Sequence, residues 1–203
     1  MDNSREPDEL SPADSSDAGG QGQWLLLIYQ LPTGASSART AVWREARRLG
    51  ALSLQHAVCL LPLSERNCAA YHRLALRIEE HGGEASILKT ASPSDDWHAK
   101  IVSRFNAARD EEYEEVVDET ERFREEIARE RRKGKFTFAE LEDEESNLER
   151  LRRYLGQVVT RDAFSAEGRV QAEAEVERCA EVLEAFAQEI YEHQRAAESE
   201  EGL

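Results

Sequence analysis

Three arginines stand close together early in the chain: Arg44, Arg47 and Arg48. On a helix, at about 100° per residue, they fall within an arc of about 100°. Guanidinium groups gathered this way present forked N–H donors that suit phosphate, sulfate or carboxylate. They lie opposite the apolar stripe Ala38, Val42, Ala46 and Leu49, so they point away from a core. The same pattern also serves as an ordinary solubilising face, and both readings stay open. Arg39 falls off the arc.

The remaining reactive side chains are scattered. Cys68 and His72 are four residues apart and share a helix face, but two ligands do not make a metal site. His56 and Cys59 flank a turn, and Cys179 falls on an apolar stripe, where it packs as a small hydrophobe. The acidic pairs Glu111-Glu112, Glu114-Glu115 and Glu144-Glu145 are adjacent in sequence. Adjacent residues do not face one another on a helix, so solvated pairs are expected. No serine sits in a hydrolase motif, and no glycine-rich phosphate loop follows a strand. The expectation is no catalytic residue, no metal site and no cofactor.

Charge divides the chain. The total is −16, with −5 in residues 1–20, +3 in residues 21–94 and −14 in residues 95–203. An acidic field of that size repels nucleic acid, so any anion site belongs on the mildly basic part. Three cysteines are an odd number at irregular spacing, which suits a reducing compartment. There is no signal-peptide pattern and no apolar run long enough to span a bilayer, so a cytoplasmic protein without membrane contact is expected.

The elements that must position the arginines start at residues 24–31 (WLLLIYQL), an apolar run closed by Pro32-Thr33-Gly34. Trp24, Leu26 and Ile28 point one way from a strand; Leu25, Leu27, Tyr29 and Leu31 point the other. Both faces are apolar, so both should be covered. Ser36 or Ser37 can cap the arginine helix, which Gly50 ends. Two short strands about Gln55-His56 form a hairpin closed by Pro62. Ser64 caps a second helix, Gly82-Gly83 ends it, and residues 84–90 form the last strand. The order β-α-β-β-α-β is the ferredoxin-like pattern, and the fold class is α+β.

Beyond it, Asp95 or Asp96 caps a long helix reaching the basic run 129–133. Thr137 to Glu140 is a capping box, and Ser165 can cap a last helix. Three amphipathic helices joined by short connections pack antiparallel. The predicted organisation is a disordered acidic leader over 1–22, a ferredoxin-like domain over 23–92, a helical extension packed on it over 95–193, and a polar tail over 194–203.

Residues 24–32 (WLLLIYQLP), 39–49 (RTAVWREARRL) and 50–62 (GALSLQHAVCLLP) resemble the N-terminal domain of the chromate resistance protein ChrB. The helical stretches 104–113 (RFNAARDEEY), 135–140 (KFTFAE) and 161–164 (RDAF) resemble the same domain. The likeness covers about residues 23–193. It implies a non-enzymatic regulatory or accessory role in chromate resistance, in transcriptional control of an efflux operon. Members of that family carry a further, C-terminal domain. The first half also looks like the ferredoxin-like module of PaaX-type regulators and of a small CRISPR nuclease. That nuclease has a metal-binding aspartate where this chain has Gln30, a neutral amide that is no anionic Mg²⁺ ligand. The implied partners are DNA or an oxyanion at Arg44, Arg47 and Arg48. A dimerising scaffold that binds no nucleic acid is the alternative, and a metal-dependent nuclease relative a weaker one.

Overall fold

The inner strand β1 (Gln23–Gln30) is paired on both sides, which its unbroken apolar sequence requires. The computed structural model describes residues 22–201, and the leader expected before β1 lies outside the described residues. After β1 come α1 (Ser36–Arg48), β2 (Leu52–Gln55), β3 (Val58–Pro62), α2 (Glu65–Glu80) and β4 (Glu84–Ala91). Three long helices follow: α3 (Asp95–Lys133), α4 (Phe138–Arg161) and α5 (Gly168–Glu201). The described residues therefore form a mixed α+β arrangement with one four-stranded sheet and five helices. The strand order is β2-β3-β1-β4 and every neighbouring pair is antiparallel.

The two faces of β1 have different covers. Leu25, Leu27 and Leu31 pack with Val42 of α1 and with Tyr71, Leu74 and Ile78 of α2. On the other face, Trp24 and Leu60 meet Ile101 and Phe105, from the first turns of α3. Trp24 stacks on Phe105 at 5.8 Å and touches Phe164, from the α4–α5 connection, at 5.9 Å. Its indole N–H donates to Ser92 Oγ at 2.8 Å. This cover runs out along the strand: Ile28 is 40% exposed and Leu88 48%. α3 leaves the sheet after Phe105 and from Tyr113 onward belongs to a separate apolar cluster with α4 and α5. The second face is thus covered over half its length, short of the complete cover that two apolar faces suggest.

The helical part is held by that cluster, in which Tyr113, Val116 and Ile127 of α3 meet Leu148 and Val158 of α4 and Val176, Phe186 and Ile190 of α5. Arg161 on Glu112 and Tyr154 on Glu115 make α4 antiparallel to α3. Arg124 with Glu175 and Arg131 with Glu189 run in the same direction, so α5 is parallel to α3.

Several ends differ from the sequence expectation. α1 has no side-chain cap, because the turn at Pro32–Ala35 leads into it and Ser36 N–H donates to Gly34 O at 2.9 Å. Ser94, not an aspartate, caps α3, accepting from Trp97 N–H at 3.2 Å; Asp95 and Asp96 lie in the first turn, where acids suit the helix dipole. The hairpin turns on His56-Ala57 rather than Gln55-His56, with Ala57 at φ 62°. Ser165 has φ 56° and does not cap α5. Asp110 reaches across from α3 and accepts from Gly168 N–H at 2.8 Å instead. α5 runs through 194–201, where a frayed tail is expected; Ala196, Ala197 and the glutamates there are good helix formers.

Candidate functional site

α1 closes on a turn that only glycine enters without strain. Ala51 N–H donates to Ala46 O at 3.0 Å and Gly50 N–H to Arg47 O at 2.9 Å, with Gly50 at φ 80°. This stop throws the chain into β2 and fixes the end of the arginine helix beside α3.

Here the three arginines part company. Arg48 is tied to Glu45 by two hydrogen bonds of 3.0 and 2.5 Å. That contact raises the Arg48 guanidinium and lowers the Glu45 carboxyl from their ordinary values. Arg47 leans over the Trp43 ring, 5.7 Å from its centroid. Arg44 is exposed and makes no ion pair among the described residues. They share one side of α1 but do not converge on a point.

Arg47 also borders a cavity of about 280 Å³ between α1, β2 and α3. Trp43, Leu52, Cys59, Arg109 and Glu112 line it too. Arg109 is the unusual member, only 6% exposed. Its Nη2 lies 3.4 Å from Glu112 Oε1, while Nε and Nη1 have no hydrogen-bond partner. Burial pulls the Arg109 guanidinium below its ordinary value, against the opposing pull of Glu112. Glu112 also accepts from Arg161 Nη2 at 3.0 Å, so one buried carboxylate serves two arginines. Gly50 makes room for both: a side-chain carbon there would stand 3.0 Å from Arg109 Nη1 and from Arg161 Cβ.

A second carboxylate lies close by but is occupied. Asp162 accepts from Tyr113 Oη at 3.1 Å and from the N–H groups of Phe164 and Ala166. Burial, then Asp162, pushes the Tyr113 phenol above its ordinary value.

None of Arg109, Glu112 or Arg161 stands out as a site residue from sequence spacing. Glu112 belongs to an acidic pair for which solvation is expected; it is 7% exposed, and Glu144 of another such pair is 4% exposed. The helix turns one member of these two pairs inward, while Glu114 and Glu115 are both exposed. A signal did exist, in the stretches 104–113 and 161–164 that carry the family resemblance. They lie about 50 residues apart and meet here, through Arg161–Glu112, Tyr113–Asp162 and the Phe105–Phe164 ring contact at 5.5 Å.

The cysteines behave as packing. Cys59 and Cys179 are buried, and burial raises both thiols, Cys179 to about 11. Among the described residues no three His, Cys, Asp or Glu side chains gather as a metal site. A larger cleft of about 920 Å³ between α3 and α4 is rimmed by Glu115, Asp118, Glu119, Glu126 and Glu144. Among the described residues no helix is long and apolar enough to cross a membrane.

Comparison with known proteins places this arrangement. A family profile described as Protein ChrB, N-terminal, matches residues 39–197. Protein ChrB of Cupriavidus metallidurans is 34% identical over 96 residues, which is 47% of this chain and 29% of that protein. The matched part thus spans under a third of that relative's length. With the profile covering most of the chain, from the arginine helix to the end of the bundle, this protein belongs to the ChrB N-terminal family.

Proposed function

We propose that this chain is a non-enzymatic, cytoplasmic regulatory module of chromate resistance, acting in transcriptional control of a chromate-efflux operon. The observation that carries this is the family match over residues 39–197. The β-α-β-β-α-β part is read as a ferredoxin-like module, supported by the strand order β2-β3-β1-β4 and by both of its helices packing on one sheet face. DNA would meet the basic side of α1 at Arg44, Arg47 and Arg48, away from the acidic helices. β1 ends at Gln30 without a carboxylate, which favours a binding role over Mg²⁺-dependent cleavage.

A reporter driven by a chromate-inducible promoter, with and without this chain, tests the regulatory role. Mobility shift on the same promoter tests contact. Wild type should bind with a log–log salt slope of roughly −0.9 per phosphate neutralised. Arg44→Glu, Arg47→Glu and Arg48→Glu together should abolish binding and leave the fold intact. An unchanged reporter and no DNA binding would sink this reading. Chelator-sensitive cleavage of the DNA would turn the chain into a nuclease relative.

A second reading rests on Ile28 and Leu88, which are exposed on the same open sheet face of β1 and β4. A second copy of the chain could cover them, making the protein a dimerising scaffold. Sedimentation showing a dimer that Leu88→Lys dissolves, together with indifference to DNA, would put that reading first.

A further inference from the structure

A guanidinium carries five N–H donors, and buried donors are almost always partnered. Arg109 breaks that rule within the fold. It is nine-tenths buried, has one contact at 3.4 Å, and leaves Nε and Nη1 without acceptors. It does so on the wall of a cavity with room for several non-hydrogen atoms.

We propose that the cavity between α1, β2 and α3 binds a small oxyanion, with Arg109 as the inner ligand and Arg47 as the outer one. The charges support an added anion. Arg47 and Arg109 line the site, and the two oxygens of Glu112 are each already engaged by a guanidinium, of Arg109 and of Arg161. Asp162 is spent on Tyr113 and on backbone N–H groups. Glu111 borders the cavity but is exposed at its rim. Nε and Nη1 expose less than 1 Å² each, so a bound anion supplies their missing acceptors as the Arg109 head turns toward the cavity.

The walls favour it further. Trp43, Ala46, Leu52 and Ala108 are apolar, and a charge-assisted hydrogen bond is stronger where water is thin. Trp43 is 51% exposed and Arg47 is exposed, so the mouth opens to solvent. A nucleic-acid backbone cannot follow, because Arg109 lies too deep. Arg47 belongs to both surfaces, but the inner ligand Arg109 is out of reach of DNA on α1, so the site does not depend on the regulatory reading.

Sulfate and acetate are the probes, one tetrahedral and one planar, titrated into the full chain at ionic strength held constant with sodium chloride. Melting temperature and tryptophan emission are read together. Wild type should show a saturable rise in melting temperature with at least one anion, and an emission change that Trp43→Phe removes. Arg47→Ala should weaken binding by about tenfold, the worth of one charge-assisted contact. Arg109→Met should abolish it. If Arg109→Met fails to fold, Ala108→Leu carries the test, since it fills the cavity without altering charge and should also abolish the response. Arg44→Ala, off the cavity, should change nothing. The proposal is overturned if wild type shows no saturable response to either anion, or if the response survives in both Arg47→Ala and Ala108→Leu.

Discussion

The sheet part and the helical part of this molecule are stabilised in different ways. Residues 22–94 are tied by strand ladders between segments far apart in sequence, and only two ion pairs fall within them among the described residues, both on Glu45. Residues 95–201 carry the other ion pairs, many of them between exposed neighbours on one helix, such as Arg169 with Glu173. Exposed pairs of that kind contribute about 0.5 kcal/mol or less each. The helical part therefore rests on its apolar cluster, and its many charges mainly set solubility and helix register. The difference shows in how each part uses arginine. On α1 it is a surface residue; on α3 and α4 the same residue type goes inside, at Arg109 and Arg161, where both lean on Glu112. The two parts meet at Trp24 and at the Arg109–Glu112–Arg161 group.

The strongest way to break the comparison is to remove the seam. Trp24 is 1% exposed and touches rings from α3 and from the α4–α5 connection. Trp24→Ala should cost about 4 kcal/mol, the range for an aromatic removed from a core. Scanning calorimetry should show one transition, moved down as a whole. Two transitions, of which only one moves, would mean the parts are independent. In the same spirit, residues 22–92 alone should self-associate in sedimentation, because Trp24 and Leu60 lose Ile101 and Phe105. A well-behaved monomer with a cooperative transition would refute the seam.

Glu112→Ala comes next. It leaves Arg109 and Arg161 buried without their shared carboxylate, and removing one member of a buried pair costs about 3 kcal/mol. Urea unfolding measures it. The double variant Glu112→Ala with Arg109→Met should recover part of the loss, and a strictly additive result would mean that the two do not interact. Smaller again is Gly83→Ala, confined to the sheet part. A side-chain carbon there would lie 2.4 Å from Gln30 O and 2.9 Å from Leu31 Cδ2, so β1 and β4 must shift. The expected cost is about 2 kcal/mol, as for overpacking. Hydrogen exchange should show lost protection at the end of β1 and the start of β4, with the helical cluster unaffected.

What could be read from the sequence follows from the range of each interaction. The 2-residue and 3.6-residue periods are local, so β1 and the apolar stripe of α1 were legible. Thr137 as the cap of α4 is local too, accepting from Glu140 N–H at 3.3 Å. Ser165 failed because its competitor, Asp110, comes from another helix. The Arg44, Arg47 and Arg48 arc is correct as helix geometry, but which of the three borders a cavity depends on where α3 crosses. Arg109 was invisible for the same reason. One arginine in a helix with many charged residues looks solvated until the fold puts Gly50 against it.

The smallest expected effect concerns Glu144, where the helical part departs from its own rule of exposed charges. Glu144 is 4% exposed, with Asn147 Nδ2 donating to its Oε2 at 3.2 Å. Burial raises its carboxyl above the ordinary value, and Glu126, Asp143 and Glu130 add to the rise. A raised carboxyl means the folded state holds the proton more tightly than the unfolded chain. Below the ordinary carboxylate pKa both states are protonated and the site costs nothing. As pH rises through the folded value, the folded state must carry a poorly solvated charge and loses stability. Glu144→Gln removes that charge and keeps an acceptor for Asn147. It should therefore be slightly more stable than the parent at pH 7. The gap in urea midpoint should close as pH falls toward about 4, the ordinary glutamate range. Taking the difference between the two proteins cancels the carboxylates that titrate in both. If Glu144→Gln is less stable than wild type at pH 7, the carboxylate is paired favourably and the rim of the α3–α4 cleft is less repulsive than its acids imply.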